Sequence, residues 1–345
     1  MAKDIGLDLG TSSVQVYVRG KGIALDEPSM AAIDTESGQV RKMGKEAYAM
    51  IGRTPPHIET VKPLKEGVIS RYDMTLTLLS WSLHRALGVI ASRPRLVICV
   101  PSGITEVEER ALVDAATQAG ASRVALVEEP VAAAIGAGLD IHAPKGIMIV
   151  DIGGGTTDIA VMSMGGIVVS DSVRCGGDQF DDSIIRYMHK KHNLLIGQNT
   201  AEEAKKNIGS LYITDDSKAE RTWEIRGRCT LEGVPRAVAI SELEMRDALE
   251  EPMAKIAEAV CRVIEQIPAE LLADISASGI CLTGGGAMLS GLDKRLSEIT
   301  GLRCNLAEHT QHCVALGLGK LLDTPNALDF SGKRTADANW RKNEF

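Results

Sequence analysis

A glycine-rich loop that follows an aspartate-terminated apolar run occurs twice in this chain, and each copy is followed by a strand pattern rather than a helix. The first reads Asp8, Leu9, Gly10, Thr11, Ser12, Ser13; the second reads Asp151, Ile152, Gly153, Gly154, Gly155, Thr156, Thr157. Ile5 to Leu9 and Ile147 to Ile152 lead in. Val14 to Val18, with valines at alternate positions, and Ile159 to Met164 lead out. Each loop is therefore expected at the tip of a hairpin, unlike a P-loop or a dinucleotide-binding turn, where the glycines open a helix. Glycine lets the backbone turn sharply and bring N–H groups against phosphate oxygens, and the hydroxyls of Thr11, Ser12, Ser13, Thr156 and Thr157 add donors. Two such tips facing each other would grip one phosphate chain from both sides.

The duplication extends past the tips. Gly20, Lys21 and Gly22 turn into Ile23 to Leu25, and Gly165 and Gly166 turn into Ile167 to Ser172. Later, Leu96 to Val100 precedes a helix expected over Glu106 to Ala119, as Ile280 to Leu282 precedes one expected over Met288 to Ile299. Supersecondary order repeated at roughly 140 residues implies two related lobes and excludes a solenoid of short repeats.

A chain of 345 residues with 44% apolar content can bury two cores, and with 3% aromatics those cores must be aliphatic. The net charge of −8 and the lack of a concentrated basic face argue against a general nucleic-acid surface. Seven scattered cysteines, mostly inside apolar runs, suit reduced thiols in the cytoplasm. No run approaches the ~18 apolar residues of a membrane span, and no signal peptide is expected ahead of the first strand.

Pro55, Pro56 and Pro63 bracket an inserted segment, 31–62, with a turn at Gly38 and a helix near Lys45 to Ile51. Thr105 with Glu108 reads as a capping box and Gly120 as that helix's stop. A strand at Val124 to Val127 ends at Glu128 and Glu129. Pro130 then suits the first turn of a helix over Val131 to Gly138. In a second excursion, 182–250, Thr200 with Glu203 and Ser241 with Glu244 read as further capping boxes, and Pro252 is expected to separate a short helix from a longer one. The tail from Asn326 is polar and expected to be loose.

The order and wording of these motifs resemble the MreB/Mbl family of bacterial actins, within the actin-like ATPase superfamily. The resemblance is carried by Asp8 to Thr11, Val127 to Leu139, Asp151 to Asp158, Arg174 to Asp178, the helix from Thr200 to Gly209, Leu282 to Met288 and Cys313 to Lys320, and it covers about residues 3–322. It implies an α/β, duplicated ribonuclease H-like fold of two lobes, each a mixed sheet flanked by helices with a small inserted subdomain. Residues 1–30, 63–141 and 315–345 would form one core with 31–62 inserted, and residues 142–181 and 251–314 the other with 182–250 inserted. It implies ATP or ADP in the cleft, with Asp8 and Asp151 holding Mg²⁺ through water to neutralise the β- and γ-phosphates. Each aspartate could instead merely cap its own turn.

Glu129 falls where the resemblance puts the glutamate that orients the attacking water, with Thr156 and Asp151 assisting. A bare helix N-terminus would also favour an acid there, and Glu128 beside it is expected on the surface. Glu202, Lys205, Lys206 and Gly209 share one helix face, which the resemblance closes over adenine and ribose opposite Gly284, Gly285, Gly286 and Ala287. Glu202 with Lys206 is also an ordinary i, i+4 surface pair. Filaments of the chain itself beneath the cytoplasmic membrane, guiding cell-wall synthesis and rod shape together with membrane proteins of the elongation machinery, are implied by the resemblance alone, with no nucleic-acid partner. The lipid-facing loop would correspond to Leu87, Val89 and Ile90, which could equally tuck against its own lobe. Ser13 and the stretch Glu308 to His312 depart from the usual family pattern, and His309 with His312 lacks the further ligands of a metal site. A small-molecule kinase shares paired phosphate hairpins but needs an acceptor pocket with its own base, and an Hsp70-type chaperone needs a peptide-binding domain for which the residues after Lys320 are too few.

Overall fold

The computed structural model describes residues 4–88, 93–213, 221–323 and 336–337. The chain opens with β1 (Asp4–Leu9), β2 (Ser13–Val18) and β3 (Gly22–Pro28), an antiparallel meander whose first turn is the first glycine tip. The inserted segment follows as β4 (Ala31–Asp34), β5 (Val40–Met43), α1 (Gly44–Tyr48) and β6 (Ile58–Val61), with β4 at the centre of a three-stranded sheet over its own small core of Met30, Ala32 and Ala47. A short hairpin, β7 (Leu64–Lys65) and β8 (Val68–Ile69), returns the chain to the first lobe. There α2 (Tyr72–Leu87), β9 (Arg95–Val100), α3 (Glu106–Gln118), β10 (Arg123–Glu128) and α4 (Glu129–Gly136) complete it. Thr105 and Glu108 form the reciprocal capping box of α3, and the chain turns at Gly120 with φ of 110°, a conformation glycine adopts without steric cost.

The second lobe repeats the plan. Its meander is β11 (Ile147–Ile152), β12 (Thr157–Ser163) and β13 (Gly166–Val173), with the second glycine tip between the first two. Its excursion is α5 (Gly177–His192), β14 (Leu194–Leu195), α6 (Gln198–Ile208), β15 (Thr222–Cys229) and β16 (Pro235–Ser241). Then come α7 (Glu242–Glu265), α8 (Ala269–Ser278), β17 (Ile280–Thr283), a 3₁₀ turn over Gly285–Met288, α9 (Leu292–Thr300), β18 (Cys304–Leu306) and α10 (Cys313–Asp323). A final two-residue strand, β19 (Ala336–Asp337), pairs antiparallel with β10.

The sheets show the duplication directly. The first runs β3-β2-β1-β9-β10 with β19 added at its edge, the second β13-β12-β11-β17-β18. In each, the meander is antiparallel and the two strands that follow in space run parallel to each other and to the meander's first strand. The central strands are buried on both faces, which is why they read as unbroken apolar runs. One aliphatic core fills each lobe, and a third cluster lies between them, built from Ala132, Ala133, Ala134, Cys313, Val314 and Leu318 against Val97, Ile149 and Ala160. At this junction α4 and α10 cross with no room for side chains. A Cβ on Gly136 would stand 1.8 Å from the Cys313 carbonyl oxygen, and one on Gly317 would stand 1.8 Å from that of Ala132.

Several expectations need correction. Thr200 does not cap α6, because that helix already starts at Gln198 with Gly197 as its N-cap and Thr200 lies inside the first turn. Pro252 does not divide two helices, since α7 runs unbroken through it. The buried stripe Met245, Ala248, Leu249, Pro252, Met253 and Ile256 is continuous there, and its packing outweighs the lost backbone hydrogen bond. The helix expected from Met288 starts only at Leu292, after the 3₁₀ turn and a left-handed Gly291. Leu87 packs partly buried against the first lobe's core, while Val89 and Ile90 lie outside the described residues, as does the tail from Asn326 apart from β19. All seven cysteines are free.

Candidate functional site

Both tips are closed by the same bond. Gly10 N–H donates to the Ser13 carbonyl at 3.0 Å, and Gly153 N–H donates to the Thr156 carbonyl at 2.9 Å. These two glycines therefore shape the tips and do not present their own N–H groups to the cleft. The tips interlock across it: a Cβ on Gly154 would lie 2.0 Å from Ser12 Oγ, and one on Gly155 would lie 2.5 Å from Thr11 Oγ1. Lobe II has glycines where lobe I has hydroxyls because nothing larger fits. Thr11 Oγ1 accepts from Gly67 N–H at 2.9 Å, leaving its own proton free to donate.

Four carboxyls converge beneath the tips. Asp8 and Asp151 end the first strand of each meander and face, in register, Gln15 on β2 and Asp158 on β12. Glu129 opens α4 directly after β10. Asp158 is held by Ser102 N–H at 3.1 Å, with the Thr156 and Ser172 hydroxyls and the Glu129 carboxyl around it. Burial, then the nearby Asp151 and Asp26 charges, push Asp8 up to about 7. Burial likewise pushes Asp151 up to about 7, against the pull of the Thr283 hydroxyl and helped by Asp158. Glu129 rises well above the usual carboxylate range, chiefly through burial and then through Asp158, Asp8 and Asp151. Asp158 is raised by burial too, its hydrogen bonds opposing. Acids so placed are poised to bind a cation or a proton.

A divalent cation held through its waters suits these residues. Asp151 Oδ1 is buried with no hydrogen-bond partner, the Asp8 and Asp158 charges lie near it, and the described residues contain no cluster of three or more His, Cys, Asp or Glu ligands for direct coordination.

The walls assign the remaining candidates unequally. The start of α5 packs on the second tip, with Gly177 N–H donating to the Gly153 carbonyl at 3.0 Å and Asp178 N–H to the Gly154 carbonyl at 2.8 Å. Gly284 and Gly286 press on Ile152, where Cβ atoms would come within 2.3 Å and 2.5 Å, and Gly285 is exposed along the same loop. Ala287 is buried in the second core and offers the cleft only its backbone. Thr157 leaves the set of phosphate donors: strand parity turns it away from Thr156 and Asp158, and its buried hydroxyl donates to the Cys175 carbonyl at 2.7 Å. Lys205 is tied down at 2.8 Å to both Asp181 and the Gly177 carbonyl, so it braces α6 on α5. Glu202 bonds Tyr48 of the opposite lobe and pairs with the exposed Lys206 at 2.7 Å. Ser13 is half-buried at the base of its tip. His312 pairs with Asp26 rather than with His309.

Further contacts cross the cleft. Lys62 Nζ lies 2.6 Å from Asp178 Oδ2, Ser12 Oγ donates to Asp178 Oδ1 at 3.1 Å, and Arg174 reaches Glu66 at 3.6 Å. Asp158, Lys62, Asp178 and Tyr48 were missed as site residues. Asp158 had a signal, since it stands two residues beyond Thr156 on a strand that points both side chains into the cleft.

The sequence model of the MreB/Mbl protein family matches residues 2–329. The chain belongs to the MreB/Mbl family. Within it, the chain is 46% identical over 329 residues to the cell shape-determining protein Mbl of Bacillus subtilis (strain 168), covering 95% of this chain and 98% of that one. It is 45% identical over 328 residues to the cell shape-determining protein MreB of Escherichia coli (strain K12), covering 93% and 94%. The crystal structure of MreB5 of Spiroplasma citri bound to AMPPNP superposes with a TM-score of 0.89 at 38% identity, covering 94% of this chain and 96% of that one. The MamK double helical filament, at 20% identity and a TM-score of 0.78, shares the fold. The duplicated lobes are thus those of the MreB/Mbl actin-like fold, and the four carboxyls line its interlobe cleft.

Proposed function

We propose that the chain is a Mg²⁺-dependent ATPase that binds ATP and ADP between its lobes, polymerises into filaments with copies of itself at the inner face of the cell membrane, and so directs cell-wall synthesis and rod shape. The observation that carries the nucleotide reading is the convergence of Asp8 and Asp151 beneath two interlocking tips. AMPPNP- and ADP-bound MreB5 of Spiroplasma citri supports both nucleotides, and the names of the Mbl and MreB relatives support the role in cell shape. A head-to-tail contact is heterologous and leaves an open end at each step, so it grows filaments. Membrane attachment and partners in the elongation machinery belong to the same proposal, and membership of the MreB/Mbl family supports them. No helix among the described residues is long and apolar enough to cross a membrane.

In this reading the backbone of Thr11, Ser12, Gly154 and Gly155 with the Thr11 and Thr156 hydroxyls cradles the phosphates, and Asp8 and Asp151 hold Mg²⁺ through water. When bound, the ion neutralises phosphate charge. Glu129 orients the attacking water and accepts its proton, while Asp158 and Thr156 fix the Glu129 carboxyl and the water's second contact. Gly284 to Gly286 and the α6 face at Glu202 flank the nucleoside. The names of the Mbl and MreB relatives favour this reading over a small-molecule kinase. Glu129→Ala is expected to slow steady-state phosphate release by about 10²- to 10⁴-fold with MgATP affinity within a few-fold of the native chain. Loss of binding instead would remove its role. Sedimentation with MgATP should pellet the native chain, and a protein that stays in solution at high concentration, with and without lipid vesicles, would defeat the filament reading.

A further inference from the structure

The cleft floor carries four carboxyls, and a polyphosphate entering it needs positive charge from somewhere. The N–H groups that open α5 do not supply it, because those of Gly177 and Asp178 already bond the Gly153 and Gly154 carbonyls. Lys205, on the same side, is held by Asp181 and the Gly177 carbonyl. Lys62 differs. It sits between β6 and β7, where the inserted subdomain rejoins the first lobe, and its half-buried ammonium reaches over the cleft to Asp178 at 2.6 Å and Ser12 Oγ at 3.5 Å. Asp178 takes Ser12 Oγ as well. A lysine, a phosphate-tip hydroxyl and a carboxylate from the other lobe therefore meet where Ser12 faces Gly154. In this arrangement the carboxylate occupies the place of an anion at the tip.

We propose that Lys62 reads the terminal phosphate of the bound nucleoside triphosphate: its ammonium leaves Asp178 for a phosphate oxygen, so that the direct bridge between the lobes is replaced by one through the nucleotide. This rests on the nucleotide reading above and adds a regulatory device to it. Asp178 is the competitor that holds Lys62 while no triphosphate is present, and the move carries the nucleotide's state to the junction of the inserted subdomain and the first lobe, where Lys62 directly follows β6 and its carbonyl accepts from Ser70 of the first lobe. A simple brace between the lobes has a different consequence, because removing either partner then breaks the same bond.

The test is isothermal calorimetry of the full chain below its polymerisation concentration, with MgATP and MgADP as probes, on the native chain, Lys62→Gln, Asp178→Asn and Lys62→Arg, each first matched by thermal melting. Lys62→Gln is expected to weaken MgATP by about tenfold or more, as for a lost charge-assisted phosphate contact, and MgADP by much less. Asp178→Asn releases the lysine and removes a negative charge beside the phosphates, so MgATP should bind as tightly as to the native chain or several-fold tighter, and Lys62→Arg should keep the preference. If Lys62→Gln and Asp178→Asn weaken MgATP alike, or Lys62→Gln leaves it unchanged, the proposal fails. A native chain that binds neither nucleotide would instead refute the underlying nucleotide reading.

Discussion

The two glycine tips share one scaffold and divide its labour. Each follows a strand ending in aspartate, each closes with the same glycine-to-carbonyl bond, and each returns as an antiparallel strand. At matching positions, though, Thr11 and Ser12 stand against Gly154 and Gly155, and Gln15 stands against Asp158. The first lobe supplies hydroxyls and the second supplies room for them. The second also supplies an extra acid beside Glu129, where the first has a neutral amide that bonds Asp26 at 3.4 Å and the Gln311 carbonyl at 3.2 Å. Duplication built a symmetric clamp, and steric fit plus the demands of one reaction centre made it asymmetric.

That asymmetry is most sharply broken by adding a methyl group to each tip. In Gly154→Ala the new Cβ meets Ser12 Cβ at 2.6 Å as well as its hydroxyl, so the lobes must part. In Gly10→Ala the nearest atom is the Ser13 carbonyl oxygen at 3.0 Å, within the same tip, where a small local shift suffices. MgATP affinity by calorimetry should fall by about 10- to 100-fold for Gly154→Ala, the counterpart of roughly 1–3 kcal/mol of overpacking, and clearly less for Gly10→Ala. Equal losses would mean that the tips do not interlock in solution.

The second acid sets the next largest effect. Asp8 and Asp151 have folded-state pKa values raised to about 7, so each adds stability that is fully present below the ordinary aspartate range near 4 and is lost as pH rises through about 7. The metal-free chain should therefore melt at falling temperature from pH 5 to pH 8, by up to about 1.4 kcal/mol per pH unit for each group. Added Mg²⁺ should stabilise more at pH 8 than at pH 5. Asp158→Asn removes a like charge beside Asp151 and Glu129 while keeping an acceptor for Ser102, and it should flatten the metal-free slope. Gln15→Asn, at the equivalent place in the first lobe, should leave the slope nearly as it was. Calorimetric melting across pH with EDTA or Mg²⁺ checks both.

How much of this was legible in sequence follows from the range of the interactions. The tips, their strands, and the Thr105–Glu108 and Ser241–Glu244 capping boxes are local, and glycine, aspartate and alternating valines announce them within a few residues. The duplicated strand order was visible because the local signals repeat in the same sequence. Lys62 and Asp178 meet across 116 positions and Tyr48 and Glu202 across 154, distances over which no pattern survives. Thr200 shows the reverse failure, a local pattern overruled because Gly197 and Gln198 start the helix earlier. The apolar run that marks β12 in sequence begins at Ile159, two residues after the strand itself, so the parity that separates Thr156 and Asp158 from Thr157 is not legible there.

That parity supports the smallest and most discriminating comparison. Thr157 occupies the position of Val14 in the other lobe, and both are fully buried. Thr157→Val keeps shape and volume but leaves the Cys175 carbonyl without its 2.7 Å donor, a cost of about 1–3 kcal/mol by chemical denaturation. Because the side chain faces the core beside β13 and not the cleft, MgATP affinity and hydrolysis should stay within a few-fold of the native values. Thr156→Val is the control: its hydroxyl lies among the acids of the cleft, so hydrolysis should fall while stability changes little. Val14→Thr should be destabilising by a similar amount for the opposite reason, since it places a hydroxyl in an aliphatic core beside Leu7 and Leu9. If Thr157→Val instead weakened MgATP tenfold with unchanged stability, β12 would be turned by one residue from the register in which Asp151 pairs with Asp158. The second acid would then face the core, and the division of labour between the tips would collapse.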